Sequence, residues 1–189
     1  MVTKQVSFYE EMTNVPFIIA GPGIHPRQKP VEDLLTQPTI DLLPTLCELA
    51  GIPVPSSKPG ISLAPFLKGE KQKRQHPYAA SEWHSEYEVT VSPGRMIRSP
   101  RYKYTHYLEG NGEELYDMLK DKGERRNLAH DPKYSKILAE HRALLDDYIH
   151  RTQDDYRSLK VEADKRWRSH VPGYPNHEGP CARDIINRK

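Results

Sequence analysis

The chain has 189 residues, of which 36% are hydrophobic and 29% are charged, and it contains 17 prolines. That length permits one domain with its own core, or part of a larger domain. The net charge of +2, with basic and acidic residues interleaved, argues against a nucleic-acid-binding surface, and no apolar run approaches the ~18 residues that span a membrane.

The first predicted element is a short strand at residues 15–20 (VPFIIA). Its nearly continuous apolar character is typical of a strand buried on both faces of a parallel sheet. Pro16 has no N–H and suits only the first position of a strand. The following Gly-Pro-Gly, residues 21–23, lacks the spacing of a phosphate-binding loop, so we expect a plain turn there.

A helix is predicted over residues 40–51, and with the preceding strand it makes an α/β unit. Gly51 is placed to end the helix, and Pro44 is tolerated only if the helix begins about one turn before it. Cys47 lies in this apolar run and is expected to be a buried thiol, with a disulfide to Cys181 as the alternative. The apolar residues recur at three- and four-residue spacing and form one face: Ile40, Leu43, Leu46 and Ala50.

A different pattern begins after a passage rich in Pro, Gly and Lys. Short segments separated by turn residues predict an antiparallel sheet. Asp131 is expected to cap a long helix and Pro132 to occupy its first turn. The apolar stripe of that helix, which reaches Ile149, should lie on the sheet. The predicted strands are residues 78–83, 95–98, 102–107 and 114–117.

The fold class predicted from these patterns is an α/β fragment plus an α+β unit. Residues 1–76 form the α/β part, a strand and a helix, although one strand alone makes no sheet. Residues 77–153 form the small antiparallel sheet packed by the long C-terminal helix. Residues 154–189 are expected to be a polar, aperiodic C-terminal extension.

Residue chemistry alone identifies no nucleophile. Glu10 and Glu11 are adjacent, so in an extended chain they point in opposite directions. The nine histidines cannot be assigned to a catalytic triad without geometry. His170, His177 and Cys181 are widely spaced, whereas zinc needs convergent ligands. We therefore predict no metal site in this chain.

Five segments, in order along the chain, carry a more specific signal. They are residues 4–23 (KQVSFYEEMTNVPFIIAGPG), 41–52 (DLLPTLCELAGI), 60–69 (GISLAPFLKG), 96–104 (MIRSPRYKY) and 114–129, which begins with ELYD and ends with NLA. Together these segments resemble the sulfatase family in sequence and in order. Each one alone is a weak signal, whereas the ordered set is specific.

The resemblance implies an alkaline-phosphatase-like α/β hydrolase with a smaller C-terminal subdomain, and this chain is expected to be its C-terminal portion. It also implies that residues 1–76 are a strand-helix remnant of a larger core. In sulfatases a Cys or Ser, oxidised to formylglycine, attacks sulfur beside a calcium ion. The Cys/Ser-x-Pro/Ala-x-Arg motif and the metal ligands lie upstream of the lysine that Lys4 resembles, and nothing in this sequence matches them. Calcium and formylglycine are therefore expected in the full-length parent, no cofactor is expected in this chain, and the chain alone is predicted to be inactive.

The resemblance carries over one catalytic residue, Lys4, because the family has a sulfate-contacting lysine near that position. An ammonium there can stabilise negative charge on the transferring group. His84 is the candidate substrate-binding residue, since histidines of the C-terminal region line the pocket in some relatives. A purely structural role is the alternative for His84.

The expected function is hydrolysis of sulfate esters, of sulfated sugars in particular, by the parent enzyme. The alternatives are a phosphoesterase of the same superfamily and a non-catalytic α+β binding module. Expected partners are a sulfated carbohydrate or aryl sulfate through the full-length enzyme, with no nucleic acid and no membrane. Residues 15–50 are expected to be exposed or covered by other chain, by the missing N-terminal portion or by self-association. The resemblance places the parent in the periplasm, in a lysosome or outside the cell.

Overall fold

The computed structural model describes residues 7–26, 31, 34–57, 59–71, 76–83, 93–108 and 112–158. Its centre is a four-stranded antiparallel sheet in which each strand pairs with the next along the chain. The strands are β1 (Ala79–Trp83), β2 (Gly94–Arg98), β3 (Tyr102–Tyr107) and β4 (Glu113–Asp117). The four predicted strands are therefore confirmed, with bounds that shift by one residue at most.

Four α-helices accompany the sheet in the described part of the chain. They are α1 (Glu10–Thr13), α2 (Pro38–Ala50), α3 (Ala64–Leu67) and α4 (Ser135–Thr152). Helix α4 packs across β2 and β3. The side chain of Asp131 accepts a hydrogen bond from the Lys133 backbone N–H and caps the 3₁₀ turn Pro132–Tyr134 that leads into α4. The predicted cap and the predicted long helix are confirmed.

The hydrophobic core lies between α4 and one face of the sheet. Strand side chains alternate between the two faces, so Ile97 and Tyr104, which are partners across β2 and β3, both point to α4. His141 of α4 is buried and contacts the Ser99 hydroxyl at 2.9 Å. The buried members of this core are Tyr78, Ile97, Tyr104, Leu115, Leu128, Leu138 and Leu145.

Helix α2 begins with Pro38 at its first turn and ends at Gly51, which adopts a left-handed conformation at φ 70°. The predicted helix and its glycine stop are confirmed. The predicted apolar face is not the face buried in this chain, because Leu43 and Leu46 are 45% and 51% exposed. The buried residues are Asp41, Pro44, Thr45 and Cys47, and the predicted buried thiol at Cys47 is confirmed.

Asp41 joins α2 to the residues that follow it. Its fully buried carboxylate accepts hydrogen bonds from the backbone N–H groups of Gln37 and Ile61, at 2.7 and 2.8 Å. His76 Nε2 lies 2.7 Å from the same carboxylate. Gly60 is required at this junction, because its φ is +115° and an added Cβ would lie 2.1 Å from the Ile40 carbonyl oxygen.

The predicted strand at residues 15–20 is wrong for this chain, because these residues form no strand. A strand needs a neighbour to satisfy its N–H and C=O groups, and none of the four strands pairs with this segment. Its side chains are largely exposed, with Ile18 at 84%. The expectation that this apolar segment is exposed in the chain is confirmed.

The chain after α4 makes contacts that the sequence pattern did not indicate. The Asp154 carboxylate accepts two hydrogen bonds from the Arg95 guanidinium, at 2.6 and 2.9 Å. Tyr156 is fully buried and donates its hydroxyl proton to the His106 carbonyl at 2.8 Å. Residues 154–158 therefore pack on the sheet, although the polar sequence there predicted an extension.

Leu145→Ala is expected to destabilise the chain by about 2–5 kcal/mol, because it leaves a cavity where a nearly fully buried side chain was. Leu119→Ala is the matched control, since Leu119 is 65% exposed and an exposed substitution changes stability by only about 0.5 kcal/mol. Urea unfolding followed by circular dichroism measures both. Equal midpoints for the two variants would place the core elsewhere.

Candidate functional site

The second face of the sheet, opposite α4, carries an unusual set of polar side chains. Lys103 lies at its centre, opposite Arg98 of β2 and Tyr116 of β4. Lys103 is only 1% exposed, and a buried ammonium is costly unless it is paired. The residues that pair with Lys103 therefore determine which part of the chain covers this face.

Residues 7–13, which we call the anchored segment, cover this face. Phe8 is buried, and its ring lies 5.9 Å from that of Tyr107. Gly94 lies beneath the ring, and a Cβ there would come within 2.5 Å of Phe8 Cε2. The sheet therefore leaves a space into which the Phe8 ring fits. Tyr9 contacts Tyr116, with ring centroids 6.5 Å apart.

An ion-pair triad of Lys103, Glu10 and Glu124 fastens the anchored segment to the sheet. Lys103 Nζ lies 2.7 Å from Glu10 Oε1 and 2.9 Å from Glu124 Oε1. The contact to Glu124 Oε1 is an ion pair without an aligned hydrogen bond, since that oxygen has no donor in the described chain. Lys103 Nζ also donates to the Phe8 carbonyl at 2.8 Å. One buried ammonium thus holds both the backbone and a side chain of the segment.

Glu124 supplies the second attachment. Its Oε2 accepts a hydrogen bond from the Glu10 backbone N–H at 2.7 Å. Glu124 has a positive φ of 50°, a conformation uncommon for a non-glycine residue. Arg98 Nε lies 3.8 Å from Glu10 Oε1, and burial lowers the pKa of Arg98 while Glu10 and Glu124 oppose that change. The cations Lys103 and Arg98 therefore lie beside the anions Glu10 and Glu124 on this face.

Glu114 is a third carboxylate on the same face, opposite Thr105 of β3. Burial, and next the charge of Glu124, raise its pKa to about 7, while Lys103 lowers it. The Glu114 charge also raises the pKa values of Tyr9 and Tyr116, after the larger effect of burial on each. Glu114 thus changes its charge near neutral pH beside the anchored segment.

The two residues predicted for the site lie outside the described residues. Lys4 precedes the anchored segment by three positions, and His84 follows β1. The tail residues His170, His177 and Cys181 also lie outside. The catalytic role of Lys4 and the substrate-binding role of His84 therefore stay predictions.

Two buried or half-buried histidines of the described chain serve the fold. His141 Nδ1 lies 2.8 Å from the Ile137 carbonyl, and burial lowers its pKa. His106 Nδ1 lies 2.7 Å from the Tyr156 hydroxyl, and burial, followed by the charge of Arg157, lowers its pKa. Each imidazole is thereby favoured in its neutral form and engaged with the protein itself.

The described residues contain no cluster of three or more His, Cys, Asp or Glu side chains that could hold a metal ion. They therefore do not fit the calcium ion that the sulfatase resemblance implies for the parent protein, and no step of a reaction is assigned to that ion. No described helix combines the length and the apolar character that crossing a membrane requires. What the described residues do provide is a set of polar contacts that attach the anchored segment to the sheet.

The triad is not recognisable in the sequence. Its one signal is Lys103, which faces away from the core stripe of Tyr102, Tyr104 and His106 in an otherwise half-buried strand. The partners Glu10 and Glu124 lie 93 and 21 positions away, and no local pattern links them. Long-range pairing of this kind becomes visible only in the folded chain.

A sheet with one covering helix and an anchored Tyr-Glu-Glu segment is the architecture expected for the C-terminal part of a sulfatase-type hydrolase. Residues 3–151 match the family described as N-sulphoglucosamine sulphohydrolase, C-terminal. The chain therefore belongs to this family of sulfatase C-terminal domains.

Among its relatives, the chain is 76% identical to the Delta 4,5-hexuronate-2-O-sulfatase of Bacteroides thetaiotaomicron over all 189 residues. The match covers 100% of this chain and 39% of that protein, so the chain spans well under half of its length. A solved structure described as a 2-O GAG sulfatase is 77% identical with a TM-score of 0.83, over 98% of this chain and 40% of that one.

A more distant structure is a complex with D-glucosamine-2-N,6-O-disulfate. It is 26% identical with a TM-score of 0.55, over 62% of this chain and 25% of that one. Its likeness extends the fold to a protein that was solved in complex with a sulfated sugar as its substrate. The predicted alkaline-phosphatase-like relationship is confirmed by these structural neighbours.

Glu114→Gln is expected to stabilise the chain more at pH 8 than at pH 5, by about 1–3 kcal/mol. Because burial raises the pKa of Glu114 from 4.5 to about 7, the folded chain binds more protons than the unfolded chain between those values. The native protein therefore loses stability as pH rises through that window, and the amide removes the loss.

Chemical unfolding at the two pH values checks this, with Glu48→Gln on the exposed side of α2 as control. The same pH dependence in native protein and Glu114→Gln would show that Glu114 titrates as an ordinary exposed carboxylate.

Proposed function

We propose that this chain supplies the C-terminal subdomain of a sulfatase that removes a 2-O-sulfate ester from an unsaturated hexuronate sugar. The observation that carries the proposal is the 76% identity to a Delta 4,5-hexuronate-2-O-sulfatase along the entire chain. At that level loops and buried contacts are largely shared, and substrate choice depends on loops. The match covers 39% of that relative, so the activity is proposed for the protein in its complete length.

In this proposal, Lys4 contacts the sulfate group. Its ammonium would stabilise the negative charge that builds up on the ester and sulfate oxygens as the S–O bond breaks. The anchored segment begins three residues later and is fixed to the sheet by the triad. A formylglycine nucleophile and calcium would come from other parts of the complete protein.

The apolar surface is the second part of the proposal. We define it as Val15, Ile18, Leu42, Leu43, Leu46, Ile52 and Val54, each at least 41% exposed. These residues lie in two stretches of the chain, 15–18 and 42–54, and large exposed apolar side chains are typical of interfaces. The relative contains about two and a half times the length of this chain, since the match is 39% of it. We infer that this additional part covers the apolar surface.

The enzymatic test expresses the complete open reading frame around this sequence and measures sulfate release from an unsaturated 2-O-sulfated disaccharide. Lys4→Ala is expected to lower kcat by about 10²–10³-fold, the usual cost of losing one charge-stabilising group. Lys68→Ala is the control, because Lys68 is exposed beyond α3 and should leave kcat unchanged. Phosphate or phosphonate monoester hydrolysis without sulfate release would favour the phosphoesterase alternative. Inactivity with both substrate classes would favour the binding module.

The apolar surface is tested with Leu43→Lys combined with Leu46→Lys. The pair should increase the monomer fraction of the 189-residue chain in light scattering, since it removes apolar area from the surface. It should destabilise the complete protein by about 2–4 kcal/mol, because each leucine is already half-buried and full burial contributes ~1.5–3 kcal/mol. Glu48→Lys on the same helix is the control. Equal effects of the pair and the control in the complete protein would mean that this surface stays uncovered.

A further inference from the structure

We propose that Lys103 and Glu124 are positioning residues for Lys4, because their contacts fix the backbone from which Lys4 extends. This inference rests on the proposed function, in which Lys4 contacts the sulfate. It assigns a role in the reaction to two residues that touch no substrate. Neither residue belongs to the predicted site, and both act on the face of the sheet away from the core.

The first argument is that the contacts act on main-chain atoms. Lys103 Nζ donates to the Phe8 carbonyl at 2.8 Å, and Glu124 Oε2 accepts from the Glu10 N–H at 2.7 Å. These two bonds bracket Tyr9 and hold the chain direction on both sides of it. Packing alone would not do this, because a hydrophobic contact is non-directional.

The second argument is energetic. Burying a charged lysine with two carboxylates costs several kcal/mol in desolvation, and well-packed apolar residues are often as stable in such places. Glu124 adds backbone strain, since its φ of 50° is unfavourable for a side chain with a Cβ. The strain at Glu124 and the buried charges add little net stability. A need to hold the anchored segment in one defined position explains them more readily.

The third argument is reach. Lys4 lies four residues before Phe8, and four residues of extended chain span no more than about 14 Å. Fixing Phe8 and Glu10 therefore limits where the Lys4 Cα, from which the ammonium-bearing side chain starts, can lie. A catalytic group misplaced by about 1 Å can lower the rate ~10²-fold. We therefore expect that loss of the contacts to Phe8 and Glu10 lowers kcat.

The same molecule provides a matched control. Arg95 and Asp154 form an ion pair at 2.6 Å with side chains 4% and 9% exposed. Arg95 lies on the sheet face toward α4, since it is two residues before Ile97 in β2. Its partner lies after α4 and not in the anchored segment. Breaking this pair weakens the sheet without releasing residues 7–13.

The experiment compares Lys103→Met, Glu124→Gln, Lys103→Arg and the control Asp154→Asn in the complete protein. Glu124→Gln keeps the size of the side chain while it removes the negative charge that pairs with Lys103, so it is the variant least disruptive to folding. We expect Lys103→Met and Glu124→Gln to lower kcat about 10–100-fold with KM within about threefold of native, the cost of a misplaced group. Lys103→Arg keeps the positive charge and should therefore lower kcat less than Lys103→Met does. Asp154→Asn should keep kcat within about twofold at a similar loss in Tm, since its pair does not contact the anchored segment.

Amide hydrogen exchange of the 189-residue chain gives a second readout that needs no activity. Exchange at Glu10 and Met12 should accelerate by about tenfold or more in Lys103→Met and Glu124→Gln, and stay unchanged in Asp154→Asn. An active native enzyme whose kcat is unaffected by Lys103→Met and Glu124→Gln, despite faster exchange, would overturn the positioning role alone. A native enzyme without sulfatase activity would overturn the proposed function, and the positioning role with it.

Discussion

The ion pairs of Lys103 are the interaction on which the arrangement of this chain depends. A four-stranded sheet has two faces, and α4 covers only one of them. The other face carries an ammonium that is almost completely shielded from solvent. Such a charge cannot remain unpaired, so the anchored segment and the loop that holds Glu124 must both reach it. The ion pair and hydrogen bond to Lys103 therefore order the anchored segment, and Phe8 fills the space above Gly94.

This arrangement brings sequence-distant parts of the chain to one place. Glu10 is more than ninety positions from Lys103, and Glu124 follows β4 by a short loop. Folding of the sheet must therefore precede or accompany docking of the anchored segment, because β3 has to exist before Lys103 can receive its partners. The sheet itself can form from pairings between consecutive strands, whereas docking of the anchored segment on Lys103 closes a much longer loop.

The sequence predicts the elements that are determined by local pattern. Alternation in residues 102–107 gives β3, and the three- to four-residue apolar repeat after Asp131 gives α4 with its cap. Residues 15–20 also carry a strand-like pattern but form no strand, because a strand depends on a partner strand and not on its own composition. The triad was not predictable, since nothing local in a half-buried strand tells a paired lysine from a solvated one. Tyr156 was missed for the same reason, as its polar neighbours conceal a fully buried ring.

Helix α2 separates what this chain satisfies by itself from what it leaves to other chain. On its polar side the Asp41 carboxylate is fully paired. It accepts hydrogen bonds from the backbone N–H groups of Gln37 and Ile61 and contacts the His76 imidazole. Its apolar side, with Leu43 and Leu46, is half-exposed. Burying an unpaired carboxylate costs far more free energy than exposing a leucine. The polar contacts of Asp41 must therefore form within the chain, whereas the apolar side of the helix can remain exposed.

The same holds at the anchored segment, where the charges are paired within the described chain while Val15 and Ile18 just beyond it remain exposed. At both places an apolar surface extends from a backbone that internal polar contacts have already fixed. This backbone is already ordered before anything covers the apolar surface. An apolar surface on such a fixed backbone therefore needs little further ordering when it is covered, and little of the free energy of binding is spent on ordering it.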